Sequence, residues 1–222
     1  MAVDDARTVI FDCDGVLVDS ERLIQEVDMA MIAELGWPIT REEILSQHMG
    51  RTSAEVAANI ERHLGRALPT DFHAVRDAAY AEAFRSSLVE VPGVRSAVCE
   101  LQAAGWQTCV ASSGSHARMR LTLGVTGLRA LFEGRVYSAD DVARGKPAPD
   151  LFLHAARDLG AAPDQCVVVE DSPSGVAAAR AAGMPVVGFA GLTPRAALAE
   201  ADVVITAMDV LVPTVTTMLP TP

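Results

Sequence analysis

The chain has 222 residues, of which 50% are hydrophobic, 21% charged and only 5% aromatic. This is an ordinary globular composition, with enough apolar surface to offset chain entropy, so it excludes disorder and leaves a core built mainly from Ala, Val and Leu. Eighteen basic against 29 acidic residues give a net charge of −11. That acidic surface repels phosphate backbones and argues against nucleic acid as a general partner.

In chain order, the apolar and β-branched run Thr8–Cys13 reads as a buried strand. Residues from about 20 to 88 contain no comparable run. There Leu23, Val27, Ala30, Met31 and Leu35 recur at helical spacing until Gly36 and Pro38 break the pattern, and helices are predicted again near 41–47, 53–64 and 70–87. After Val91-Pro92-Gly93, helices and strands alternate: helix 94–104, strand 107–111, helices 116–123 and 149–159, strand 166–170, helix 174–182, strand 185–190, helix 194–200 and strand 203–206. Residues Met218 to Pro222 read as a frayed tail.

The alternation predicts an α/β fold with a parallel sheet covered on both faces. The first strand must join that sheet, because alone it could not satisfy its backbone. The expected organisation is a core made of residues 1–18 and 91–222, with an all-helical domain, 19–90, inserted between them.

The opening residues lack the basic start and long apolar run of a signal peptide, and no segment reaches the ~18 apolar residues of a membrane span. A cytoplasmic protein with no membrane partner is expected. Cys13, Cys99, Cys109 and Cys166 show no CxxC spacing, which predicts reduced, buried thiols rather than a disulfide or a zinc site.

Four short segments carry chemistry. Asp12 and Asp14 close the first strand, and side chains two apart on a strand share a face. Val167-Val-Val-Glu170-Asp171-Ser172 repeats the plan before a helix that opens at Pro173 or Ser174. Carboxyl ends of parallel strands are where ligands bind. Four carboxylates in one pocket require a divalent cation, and oxygen-only ligands favour Mg²⁺ over zinc. Ser112-Ser113-Gly114-Ser115 ends another strand and opens a helix, a setting for anion binding by hydroxyls and backbone N–H groups. Lys146, in Gly145-Lys146-Pro147, is the only lysine beside seventeen arginines, which marks a place where a compact ammonium is needed. Each segment also has a bland reading: an Asp-rich turn, a helix cap, a Ser N-cap, a surface lysine.

Together and in this order the segments resemble the haloacid dehalogenase superfamily. Residues 12–21, DCDGVLVDSE, look like its first motif, Ser112 its second, Lys146 its third and Glu170-Asp171 its fourth, and the match runs on through GVAAARAAGM at 175–184. The resemblance implies a Rossmann-like core with a helical cap like that of β-phosphoglucomutase and the small-molecule phosphatases. It implies that Asp12 is the nucleophile, forming an aspartyl-phosphate, and that Asp14 protonates the leaving oxygen and then activates water. Mg²⁺ would be held by Asp12, the carbonyl of Asp14 and Asp171, with Glu170 in support. Ser112, Ser113 and Lys146 would bind phosphate, and Lys146 would also keep Asp12 ionised.

The same resemblance separates activities. An acid at position 14 argues for phosphate rather than halide chemistry. The insert has no lysine, which removes the phosphonoacetaldehyde hydrolases. β-Phosphoglucomutases of this kind carry a His at the place of Ile24 and a cap Lys near Arg76, and both are absent. Met49-Gly50-Arg51-Thr52 fits the substrate-specificity loop, so Arg51 and Arg76 are the candidate cap residues for substrate. The expected function is a Mg²⁺-dependent phosphatase of a small phosphorylated metabolite, a sugar or sugar-acid phosphate, with a hexose-phosphate mutase as the alternative; a monomer is consistent with the small cap. A non-catalytic binding protein on the same fold is a third reading, disfavoured because every motif acid is present. His48, His63 and His116 read as surface or partly packed residues.

Overall fold

In a computed structural model, which describes residues 7–48 and 53–219, the chain forms two units, Met1–Asp19 with Val89–Pro222, and Ser20–Leu88. The inserted unit is slightly shorter than 19–90. Asp19 donates its N–H to the Val89 carbonyl and Val18 bridges Glu90, so the entering and leaving chains are still paired there.

The first unit is a six-stranded parallel sheet: β1 (Thr8–Phe11), β2 (Gln107–Ser112), β3 (Val136–Ser138), β4 (Cys166–Glu170), β5 (Val186–Phe189) and β6 (Val203–Ile205), in the order β3-β2-β1-β4-β5-β6. Successive strands step outward from β1 on one side and from β4 on the other. The order therefore reverses between β1 and β4, and the crevice outside their carboxyl ends is where such sheets bind ligands. Both strands are fully buried, which is why they read as unbroken apolar runs. Ile10, Cys109, Val168, Phe152 and Val176 belong to one core cluster.

The helices of this unit, numbered along the whole chain, are α5 (Val94–Ala103), α6 (His116–Val125), α7 (Asp150–Asp158), α8 (Pro173–Ala181) and α9 (Leu211–Met218). Three expectations change. The first strand ends at Phe11 rather than Cys13, because the chain turns: Leu17 and Val18 both donate to the Cys13 carbonyl, with Gly15 at φ 78°. The helix expected at 194–200 is a 3₁₀ turn at Arg195–Leu198. Met218 ends α9, whose Pro213 lies in the first turn, where no N–H is needed; 220–222 lie outside the described residues.

The second unit is α1 (Ser20–Glu34), α2 (Arg41–Gln47), α3 (Ser53–Leu64) and α4 (Phe72–Ser87) around Ile32, Trp37, Ile39, Ile44, Val56, Ile60 and Phe72. Thr40 starts α2 with a reciprocal capping box: Thr40 N–H donates to Glu43 Oε2, and Glu43 N–H to Thr40 Oγ1. Among the described residues no helix is long and apolar enough to cross a membrane. The four cysteines are free; Cys13, Cys109 and Cys166 are buried, whereas Cys99, expected inside, is exposed.

Candidate active site

Sheet register builds the centre. Phe11 lies level with Val110 of β2 and Val169 of β4. The next residue of each chain is Asp12, Ala111 and Glu170, and Asp12 N–H still bonds the Val169 carbonyl at 2.9 Å. Lys146 enters this row from the loop before α7. Its ammonium donates to Asp12 Oδ1 at 2.5 Å, Glu170 Oε1 at 2.7 Å and the Ala111 carbonyl at 3.1 Å, and lies 4.8 Å from the centre of the Phe152 ring. An ammonium has three protons, and all three are placed. A planar guanidinium could not converge on these three acceptors, which accounts for a lysine here in a chain that otherwise uses arginine.

The electrostatics follow from burial. Asp12 is 7% exposed. Burial pushes its pKa up to about 7, Lys146 opposes this, and the carboxylates of Glu170 and Asp14 add to the rise. Burial also works against the Lys146 charge, but Asp12 and Glu170 outweigh it and hold the pKa above that of an ordinary lysine. Lys146 is thus the direct partner of Asp12, the contact that its second expected role requires.

Glu170 and Asp14 lie close enough to Asp12 to act on its charge, yet each also has a partner of opposite charge. Among the described residues no group of three or more His, Cys, Asp or Glu is arranged to hold a metal. Glu170 gives Oε1 to Lys146 and Oε2 to the N–H and Oγ of Ser172. Ser172 Oγ in turn accepts from Gly175 N–H and caps α8. Asp14 Oδ1 accepts from Arg118 Nη2 at 3.1 Å. Glu170 and Asp14 therefore each face a cation of the chain.

Asp12 and Asp171 are carboxylates that could hold a metal here. The Asp171 carboxylate lies so close to Gly15 that a Cβ there would collide with Oδ2, so a glycine opens the path between the β4 end and the backbone after Asp14. Two carboxylates plus backbone oxygen, water and substrate phosphate form a donor set that suits Mg²⁺, which commonly takes one or two carboxylates and retains waters. A cavity of about 280 Å³ lies against Gly15 and Asp171, walled by Val91, Pro92, Phe189 and Leu192.

Ser112, 2% exposed, ends β2, and its Oγ accepts from Gly114 N–H, which leaves its own proton to donate to an anion. Ser113 is exposed on the same loop. Ser138 Oγ pins that loop through the Gly114 carbonyl at 2.8 Å. His116, at the start of α6, pairs with Asp141 at 2.9 Å.

In the inserted unit, Arg51 lies outside the described residues. Arg76 is buried on α4, with its guanidinium 5.6 and 5.7 Å from the rings of Phe72 and Tyr80. Tyr80 donates to buried Asp28 at 2.5 Å, and buried His48 meets Asn59 Oδ1 at 2.9 Å. His63 stacks on Trp37. Neither this polar cluster nor the Arg118–Asp14 pair is foreseen in the sequence. A basic residue one turn into a helix after Ser112-Ser113 is the one sequence signal that could have pointed to Arg118.

Comparison with known proteins identifies the family of this fold. A family model described as a haloacid dehalogenase-like hydrolase matches residues 6–183. A 6-phosphogluconate phosphatase of Escherichia coli is 31% identical, over 82% of this chain and 82% of its own. Hexitol phosphatase A of the same organism is 30% identical, over 90% of each. The crystal structure of a HAD family hydrolase from Deinococcus radiodurans, with bound phosphate and sodium, matches 96% of each chain at 32% identity and a TM-score of 0.82.

Proposed function

The chain belongs to the haloacid dehalogenase-like hydrolases, and from that premise we propose that it is a Mg²⁺-dependent phosphatase of a small phosphorylated metabolite, a sugar or sugar-acid phosphate. The observation that carries the reading is a buried carboxylate, Asp12, tied to the one lysine of the chain at the switch point of a parallel sheet. The two named relatives, a phosphogluconate and a hexitol phosphatase, support the substrate class.

Asp12 Oδ attacks phosphorus, its lone pair kept available by Lys146, and an aspartyl-phosphate forms as the bond to the leaving oxygen breaks. Asp14 gives that oxygen a proton and afterwards takes one from the water that releases phosphate. Ser112 Oγ–H and the N–H groups at the start of α6 bind the phosphoryl oxygens. Asp12 and Asp171 would hold Mg²⁺, which would supply positive charge for the transfer. Glu170 keeps Lys146 in place and fixes the start of α8.

The test is phosphate release from a panel of sugar, sugar-acid, polyol and glycolate phosphates and β-glucose 1-phosphate, with Mg²⁺ or EDTA. Metal-dependent release from a narrow set is expected, reduced roughly a thousandfold or more in Asp12→Asn. Turnover of that variant near the wild-type rate would overturn the assignment. Isomeric sugar phosphate in place of free phosphate would identify a mutase instead, although Ile24 and the lysine-free insert speak against one.

A further inference from the structure

Arg118 is named by none of the motifs, yet it contacts the residue on which proton transfer depends. It stands one turn into α6, where Ser115 caps the helix by accepting the Arg118 N–H at 3.3 Å. The cap fixes the first turn, so the position of the arginine is set by the same loop that carries Ser112. Gly114 then lets the side chain lie across that loop. A Cβ at 114 would be 3.4 Å from Arg118 Cδ, 3.5 Å from Ser112 Oγ and 3.7 Å from Asp14 Oδ2, so three side chains of different elements meet over one glycine. The guanidinium Nη2 reaches Asp14 Oδ1 at 3.1 Å. The side chains are 28% and 20% exposed, so the pair is half-sheltered at the edge of the site.

The contact has a definite geometric effect. An aspartate carboxylate rotates about a broad, soft torsion, so without a partner its two oxygens would exchange places. With Oδ1 held by a guanidinium, Oδ2 lies beside Gly114, on the loop that also carries Ser112. We propose that Arg118 is a positioning residue, which fixes the orientation of Asp14 for proton delivery to the leaving oxygen. The inference rests on the reading of Asp14 as the acid and base of the phosphatase. A competing role for the same cation is direct binding of the substrate phosphate.

A double-mutant cycle with lysine rescue separates the two roles. The variants are R118M and R118Q, which keep a stem over Gly114 without the charge, R118K, D14N, and D14N combined with R118M. All are assayed on the best substrate of the panel after thermal melts confirm folding. The expected result is a loss in kcat of about tenfold or more in R118M and R118Q, since small misplacements of a reacting group have effects of this size. KM should stay within about twofold and R118K should recover part of the loss. In the D14N background R118M should cost less than about twofold, because the group it positions no longer transfers a proton.

An aryl phosphate whose leaving group needs no proton gives an independent reading. The R118M deficit in kcat/KM, which reports only steps through formation of the phospho-enzyme, should shrink on it. Wild-type kinetics in R118M and R118Q would overturn the proposal. So would an equal loss in both backgrounds, or a raised KM with weaker inhibition by inorganic phosphate, which would assign Arg118 to the substrate. Unchanged turnover in D14N would refute the reading of Asp14 itself.

Discussion

Lys146 Nζ and Asp12 Oδ1 are 2.5 Å apart with side chains 2% and 9% exposed, and the same ammonium bonds Glu170, which is 1% exposed. One cation therefore serves two carboxylates where water hardly reaches. Removing it leaves two acids buried side by side, and breaking a buried pair in this way costs about 3–5 kcal/mol. Lys146→Met is expected to lower stability by that order and to abolish turnover. The deficit should narrow toward acid pH, where the stranded carboxylates take up protons. Urea melts across pH would check this, and a variant as stable as the wild type at neutral pH would contradict it.

Glu170 and Asp171 are neighbours in sequence but differ in surroundings. Both Glu170 oxygens are occupied by Lys146 and Ser172, whereas Asp171 faces the Gly15 backbone. Calorimetry with Mg²⁺ should find affinity nearly unchanged in Glu170→Gln but lower by about tenfold or more in Asp171→Asn. Thermal melts should rank them the other way, with Glu170→Gln the less stable. Equal losses of metal affinity would make Glu170 a ligand.

Much of this arrangement is legible in the sequence, and the exceptions have physical reasons. β1, β2, β4 and β5 are buried strands of a parallel sheet, so each announces itself as an apolar run. β3 is three residues long, too short for any period to show. α9 contains Pro213 and three threonines, which hide a helix from the sequence, and packing of Leu211 and Val215 orders it. Asp12, Lys146 and Glu170 are found through motifs. The bond between Glu170 and Lys146 is hidden, because residues 24 positions apart share no spacing signal. The Arg118–Asp14 and Tyr80–Asp28 pairs span 104 and 52 positions, and no spacing rule links residues so far apart.

Gly15 has two constraints at once. Its φ of 78° is left-handed, and its missing Cβ makes room for Asp171. Gly15→Ala should cost about 1–2 kcal/mol from the backbone alone. It should also displace the Asp171 carboxylate, so activity at limiting Mg²⁺ should fall further than the stability loss explains. Recovery of activity at high Mg²⁺ would show that the lesion is in metal affinity. A variant with full activity at low Mg²⁺ would rule out the close approach.

Asp28 provides a pH test inside the helical unit. Burial raises its carboxyl pKa, against the hydrogen bond from Tyr80 and the charges of Arg76 and His48. The sign follows from linkage. Below the unfolded value of about 3.9 the group is protonated in both states and its contribution is complete; as pH rises through the higher folded value, the native state must give up a proton it prefers to keep, and stability is lost. Asp28→Asn cannot titrate yet can still accept from Tyr80. The Tm of the wild type minus that of Asp28→Asn should therefore decline as pH climbs from about 4 toward neutrality. A difference that grows over this range would mean that Arg76 and His48 hold Asp28 ionised, as an ion pair rather than as a buried acid.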